Sequence, residues 1–165
     1  MIKVTEDNQI NLLLIDFGSS IISGQTRLPT RSEPWNAPEL ENASSHLNYE
    51  ELAQTDLYSF GLVCLHLLLP VESLVGAGLC LIRSQDQTDD QWAKELGQKR
   101  LIKTSEGQDS LATKVLGVLE LSDVSQDQRT LLRKIFDATI QPPPGRRKLP
   151  WEDILPYIQQ YLSRR

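Results

Sequence analysis

The residues best suited to chemistry are three carboxylates, each in a short group of distinctive neighbours. Asp16 opens Asp16-Phe17-Gly18, Glu39 closes Ala37-Pro38-Glu39, and Asp56 is the second residue of a Thr-Asp-Leu-Tyr-Ser-Phe-Gly stretch. Carboxylates bind hard cations and form strong charge-assisted hydrogen bonds with arginine. Taken alone, Asp16 is equally well explained as an N-capping or turn residue. The order of the three groups and the elements that position them therefore carry the interpretation.

A hairpin, a loop and a helix are predicted to hold these groups. Residues 2–5 and 10–15 read as two strands joined by a turn at Asp7-Asn8. Residues 16–35 show neither helical nor strand period and are predicted to be a loop. Thr55 is predicted to cap a helix that runs to Leu69 and stops at Pro70. Because this helix is apolar almost all round, we expect it to be covered on every side.

Further helices are predicted downstream. One short helix should end at Gly97, and a capping box of Ser125 and Gln128 should open another. After a rigid proline-rich connector at 141–145, Pro150 suits the first turn of a final amphipathic helix. The predicted fold class is mainly α with a small N-terminal β-hairpin.

Composition excludes several classes of function. The chain has 165 residues, a net charge of −5, 39% hydrophobic and 24% charged residues, which is typical of a globular domain and unfavourable for nucleic-acid binding. Its two cysteines, Cys64 and Cys80, are too few for a disulfide framework and are predicted to be small core residues. His46 and His66 are predicted to be structural rather than metal ligands. With no signal core and no apolar stretch long enough for a bilayer, we expect an intracellular protein, cytoplasmic or nuclear, with no membrane contact.

In this order and setting, the three groups resemble the C-terminal part of a eukaryotic protein kinase domain. The resemblance implies a β-hairpin at 1–15, an activation segment at 16–39 and a helical C-lobe at 55–165. It therefore implies a kinase C-lobe-like helical bundle that lacks the N-lobe. The stretch from Thr55 to Gly61 resembles the start of the family's central F helix.

The resemblance also implies roles for individual residues. Asp16 would bind the Mg²⁺ that bridges the phosphates of ATP, Phe17 would pack under the metal site, and Gly18 would permit the backbone turn. Ser32 and Trp35 would lie in the loop that docks the protein substrate. Ser32 matches a threonine of serine/threonine kinases, so that type is favoured over the tyrosine type. By the same analogy Thr26, Thr30 and Ser32 are candidate phosphorylation sites.

Three other residues would be structural. Glu39 would pair with Arg147, whose guanidinium forms a fork that matches a carboxylate, with Arg146 as the rival partner. Asp56 would be a buried aspartate that accepts backbone hydrogen bonds from the family's catalytic loop. On the same helix, Val63 and Leu67 would support an apolar column beneath the adenine, although ordinary core packing explains them equally well.

The parts of a kinase that transfer phosphate are missing. The chain contains no glycine-rich phosphate loop, no strand lysine in its usual context and no His-Arg-Asp loop. Its length is also short of the roughly 250 residues that a kinase domain needs. Three hypotheses follow: a kinase domain fragment that is inactive as this chain, a kinase-like (pseudokinase) module that binds a protein partner, and an unrelated helical scaffold. The last predicts that Glu39 and Arg147 lie far apart.

The missing parts also predict a surface property. The F helix would lack the helix that normally covers it, and Asp56 would lack its backbone donors. We therefore expect an exposed apolar patch around Leu57–Leu69, with self-association through this surface.

Overall fold

The structure is a computed structural model, and it describes residues 2–4, 10–12, 22–27, 32–40, 46–105, 110–141, 147, 148, 152 and 156. The described part of the chain is mainly helical. Its strands are β1 (Ile2–Val4), β2 (Ile10–Leu12), β3 (Thr26–Arg27) and β4 (Leu47–Asn48), and its α-helices are α1 (Tyr49–Leu68), α2 (Val71–Gly76), α3 (Asp89–Thr104), α4 (Leu111–Leu121) and α5 (Gln126–Thr139). One turn of 3₁₀ helix covers Pro38–Leu40.

The strands form two small antiparallel sheets. β1 pairs with β2, with Ile2 opposite Leu12, which confirms the predicted N-terminal pairing. β3 pairs with β4, with Thr26 opposite Asn48. This second pairing corrects the prediction of a loop throughout 16–35. A two-residue strand is too short to produce a period, and its partner lies far along the chain.

Helix α1 begins earlier than predicted. Asn48, not Thr55, is the N-cap: its side chain accepts a hydrogen bond from the N–H of Glu51 at 2.9 Å, and the Glu51 carboxylate accepts one from the N–H of Asn48 at 2.8 Å. This reciprocal capping box satisfies two of the donors that a helix start leaves open. Thr55 is buried inside the helix, where its hydroxyl donates to the carbonyl of Leu52 at 2.8 Å.

Helix α1 is not covered on every side, which corrects the sequence prediction. Tyr58, Leu62 and Leu65 are almost fully buried, whereas Val63 and Leu67 are 42% and 77% exposed. Val63 and Leu67 are therefore not core residues. Phe60 and Leu68 are exposed as well, at 41% and 48%. The expected apolar patch within Leu57–Leu69 is present.

The other helices agree in part with the sequence patterns. The capping box of Ser125 and Gln128 opens α5 as predicted. Helix α3, however, continues seven residues beyond Gly97, to Thr104. Gly97 is therefore an interior helix residue and not a cap. The final helix predicted from Pro150 lies outside the described residues, apart from Glu152 and Pro156, both helical.

The core is formed where α5 packs against α1 and α4. Val115, Leu119 and Phe136 are nearly inaccessible at its centre. The crossing of α1 and α5 is tight at Gly61, where a Cβ atom would lie 2.8 Å from Cβ of Thr139. Only a residue without a side chain fits there without a shift of one helix.

The two cysteines occupy different surroundings. Cys64 is buried in α1 as predicted, and its burial raises the pKa of the thiol to about 11. Cys80 is only half-buried and packs at the edge of the core, so it is less enclosed than the sequence suggested. Among the helices that the structure describes, none combines the length and the apolar character needed to cross a membrane.

Candidate functional site

The segment from Ser32 to Leu40, here called the anchored segment, contains three residues with an assigned role, Ser32, Trp35 and Glu39. Apart from the 3₁₀ turn it has little regular structure of its own. It is nevertheless largely buried, with Ala37 inaccessible and Leu40 5% exposed. Its backbone carbonyls therefore need donors from elsewhere in the protein. Ser59 of α1 and Lys103 of α3 supply such donors, and Arg147 binds the carboxylate of Glu39.

Arg147 and Glu39 form the ion pair that the sequence predicted. Nη1 of Arg147 contacts Oε1 of Glu39, and Nη2 donates to Oε2 at 3.1 Å, so the contact is bidentate. The same guanidinium donates to the carbonyls of Gln141 at 2.9 Å and Gln54 at 3.0 Å. Its carbon lies 4.7 Å from the centre of the Tyr58 ring. Because Arg147 is only 1% exposed, these partners replace the water that it has lost. The rival partner, Arg146, lies outside the described residues.

Helix α3 holds the other end of the anchored segment with two cations. Lys103 is 5% exposed, and its ammonium donates to the carbonyl of Pro34 and, at 2.8 Å, to that of Asn36. Arg100 forms a bidentate contact with the carboxylate of Glu33, with Nε at 3.0 Å from Oε2. An ammonium with three donors can serve two carbonyls of an irregular loop at once, which a single backbone amide cannot do.

Of the two residues assigned to substrate docking, Ser32 is exposed, whereas Trp35 is half-buried and in contact with α1. Ser32 is exposed, and its N–H donates to Oδ1 of Asn36 at 2.6 Å. Trp35 is half-buried: its carbonyl accepts from the hydroxyl of Ser59 at 2.9 Å, and its ring meets the His66 ring edge-on, with centroids 5.1 Å apart. Trp35 therefore contributes to the structure of the anchored segment, and Ser32 is the more accessible of the two.

His66 is structural, as predicted, and it joins three parts of the chain. The N–H of Leu81 donates to Nε2 of His66 at 2.8 Å, so the ring proton is on Nδ1, which donates to the carbonyl of Leu62 at 2.9 Å. Burial, and secondarily the charge of nearby Lys99, lower the pKa of His66, although the hydrogen bond to Leu62 opposes this. Protonation of Nε2 would remove the acceptor for Leu81 and place a cation near Lys99.

Acid should therefore weaken the fold through His66. Because the folded pKa lies below the ordinary value of 6.5, the unfolded chain binds the proton first. The contribution of His66 to stability is complete above that value and is lost as the pH falls towards the folded pKa. We expect the free energy of unfolding, measured in urea, to fall from about pH 7.5 to about pH 5 more steeply in the native chain than in His66→Gln.

The matched control is His46→Gln, because His46 is exposed. It should keep the full pH dependence of the native chain. Equal slopes for the native chain and His66→Gln would contradict the role given to His66.

Asp56 differs from its expected role. It is exposed rather than buried, although the neighbouring chain desolvates its carboxylate enough to raise its pKa. Among the residues that the structure describes, none forms a hydrogen bond with the Asp56 carboxylate. The carboxylate avoids the cost of full burial because it faces solvent.

The residues assigned to Mg²⁺ and ATP, Asp16, Phe17 and Gly18, lie outside the described residues, as do the candidate phosphorylation site Thr30 and the turn at Asp7-Asn8. Within the described ranges, no three His, Cys, Asp or Glu side chains cluster closely enough to hold a metal ion.

The sequence pattern does not reveal the buried cations of α3. Lys99 and Lys103 are one helical turn apart and are both buried, and Lys99 contacts the carbonyl of Cys80. A lysine pair at this spacing usually lies on a solvated face. One general expectation does point to them. If the irregular segment that precedes Ala37 is buried, its backbone carbonyls must accept hydrogen bonds from side chains elsewhere in the protein.

Comparison with known proteins adds no relative. No family model, no curated protein and no solved structure matches this chain.

Proposed function

We propose that this chain is the C-terminal portion of a kinase-like domain of the serine/threonine type, and that it transfers no phosphate by itself. The proposal is carried by the bidentate pair between Glu39 and Arg147, which the resemblance required and which joins residues 108 positions apart. An unrelated helical scaffold gives no reason for this contact.

The surroundings of the pair support the same interpretation. Glu39 ends the Ala-Pro-Glu group, and the anchored segment around it is buried against the helix that contains Asp56. The exposed state of Asp56, within α1, fits a helix without the catalytic loop that covers this aspartate in the family. In the intact family Asp16 would hold the Mg²⁺ of ATP. This chain contains no other part of the phosphate-transfer apparatus.

The direct test is an assay with the purified chain, Mg²⁺, radiolabelled ATP and a mixture of serine- and threonine-containing protein substrates. We expect no phosphate transfer near the usual kinase range of about 1–100 s⁻¹. The Asp16→Ala variant controls for contaminating kinases, because activity that survives this change does not come from the chain. Turnover in the usual range that is lost in Asp16→Ala would overturn the inactive assignment.

A second candidate function is a non-catalytic module that binds proteins. The observation that favours it is the exposed stripe on α1, formed by Phe60, Val63 and Leu67. These residues follow one another at spacings of three and four, so they lie on one helical face. An exposed apolar stripe of this kind is typical of a surface that another helix covers.

The stripe predicts self-association of the isolated chain. We expect light scattering after size-exclusion chromatography to give a mass above that of one chain at about 100 µM, in the range of weak micromolar association. The triple substitution Phe60→Ser, Val63→Ser, Leu67→Ser should restore the single-chain mass of 18.7 kDa.

Leu121→Ser is the control, because Leu121 is 91% exposed at the end of α4 and lies outside the stripe. It should leave the association unchanged. A monodisperse single-chain mass for the native protein at this concentration would contradict the prediction.

A further inference from the structure

A groove separate from the anchored segment lies between α2, α3 and the connection that joins them. Its volume is about 910 Å³. Val71 and Val75 of α2 line one side, Ile102 of α3 lines the other, and Ile82 lies in the connection. Three of these side chains are well exposed, with Val71 at 47%, Val75 at 60% and Ile82 at 56%. The proposed function uses none of them.

The walls of the groove favour a helix as occupant. Both sides are α-helices, whose backbone groups are paired within the helix, so the groove offers no strand edge to an extended peptide. On α3, Gln91, Glu95, Gln98 and Ile102 follow one another at helical spacing along the groove. Two turns of an α-helix, roughly 10 Å wide and 11 Å long, would fill roughly 860 Å³. The groove is therefore large enough for about two turns.

The charges of the groove favour basic residues beside the apolar ones. Both cations that line it are already bound within the chain. Arg83 lies 2.7 Å from the carboxylate of Asp89, and the buried ammonium of Lys99 contacts the carbonyl of Cys80. Asp86, in contrast, is exposed, and the Glu95 side chain is 47% exposed, with its carboxylate only loosely paired to Lys99 at 3.7 Å. The available charge at the rim is negative.

We propose that this groove binds a short amphipathic helix of a partner protein, with aliphatic side chains on one face and lysine or arginine at the flanks. The aliphatic side chains would cover Val71, Val75 and Ile82. The basic flanks would face Asp86 and Glu95. This inference does not depend on the kinase resemblance, since it uses neither the anchored segment nor Asp16.

The test uses a dye-labelled synthetic helical peptide of about 12 residues, with leucines at helical spacing and two lysines at each end. Fluorescence anisotropy should show saturable binding to the full chain at micromolar concentrations. Ile82→Glu should weaken binding at least 10-fold, because it places a charge among the apolar side chains that line the groove. Asp86→Asn should weaken it about 3-fold at low salt and have little effect at about 1 M salt, where surface charges are screened.

Three controls keep the test specific. Leu121→Glu, on an exposed residue outside the groove lining, should bind like the native chain. A peptide with glutamates in place of its lysines should bind more weakly. Thermal unfolding should show that Ile82→Glu remains folded, and Val75→Glu provides a second variant if it does not.

The proposal fails if the peptide does not bind at millimolar concentration, or if Ile82→Glu and Val75→Glu both bind normally. It also fails if binding is lost in the triple serine variant of the α1 stripe while the groove variants retain it. That last result would mean that the peptide binds to the α1 stripe. None of these results tests whether the chain transfers phosphate, so the two proposals can fail independently.

Discussion

Replacing Arg147 with methionine is expected to lower the free energy of unfolding by about 3–5 kcal/mol, the usual cost of removing one partner from a buried ion pair. Methionine keeps an unbranched apolar stem but ends short of the position of the guanidinium. It leaves the carboxylate of Glu39, whose side chain is 18% exposed, without its bidentate donor. It also removes the donors to the carbonyls of Gln54 and Gln141. Urea unfolding at neutral pH measures the change.

The chain offers a matched control in Arg133. This arginine contacts Glu120 on the surface, with side chains 51% and 48% exposed, so Arg133→Met should cost only about 0–1 kcal/mol. The loss of unfolding free energy in Arg147→Lys should lie between those of Arg147→Met and Arg133→Met. An ammonium keeps the positive charge but lacks the two parallel donors of a guanidinium. If Arg147→Met costs no more than Arg133→Met, the ion pair does not stabilise the fold.

Replacing Gly61 with alanine should destabilise the protein, although alanine is the better helix former. The new Cβ would lie 2.8 Å from Cβ of Thr139 and 3.0 Å from Cγ1 of Ile140. Neither neighbour can easily move, since Thr139 is 0% and Ile140 is 1% exposed, and the Thr139 hydroxyl donates to the carbonyl of Ile135 at 2.7 Å. Overpacking of this kind costs about 1–3 kcal/mol, and here we expect the upper part of that range to outweigh a helix-propensity gain of about 1 kcal/mol.

Gly97→Ala is the control for this prediction. Gly97 lies inside α3, and a Cβ there would meet nothing within 4 Å. The same substitution should therefore raise the free energy of unfolding by about 0.5–1 kcal/mol. Chemical denaturation should therefore show that alanine lowers the free energy of unfolding at Gly61 and raises it at Gly97. A gain in stability at Gly61 would mean that α1 and α5 are not in close contact.

The sequence predicted those features of the fold that depend on local or strongly patterned signals. The capping box of Ser125 and Gln128 contains its own donors and acceptors, so it could be identified without tertiary information. The start of α1 was misplaced because Thr55 is a plausible cap by residue type, whereas Asn48 and Glu51 satisfy each other. Hydropathy alone predicts burial of Val63 and Leu67, but the structure leaves both side chains exposed because no described element packs over that face of α1.

The candidate site shows the same division. The pair of Glu39 and Arg147 is predicted by the family resemblance, and the fork of a guanidinium matches a carboxylate. The contacts of Lys103 with the carbonyls of Pro34 and Asn36 are not predicted, because a lysine that binds backbone carbonyls leaves no mark in a sequence pattern. Long-range contacts between polar side chains and an irregular backbone can be identified only from the tertiary structure.

The distance along the chain between Glu39 and Arg147 also affects how the protein is made. The two residues are 108 positions apart. At elongation rates of about 5–20 residues per second, a nascent chain would wait roughly 5–20 s after synthesising Glu39 before Arg147 is added. Throughout that interval the carboxylate of Glu39 lacks the guanidinium that pairs with it. On the ribosome the anchored segment is thus a candidate client for a chaperone until Arg147 is added.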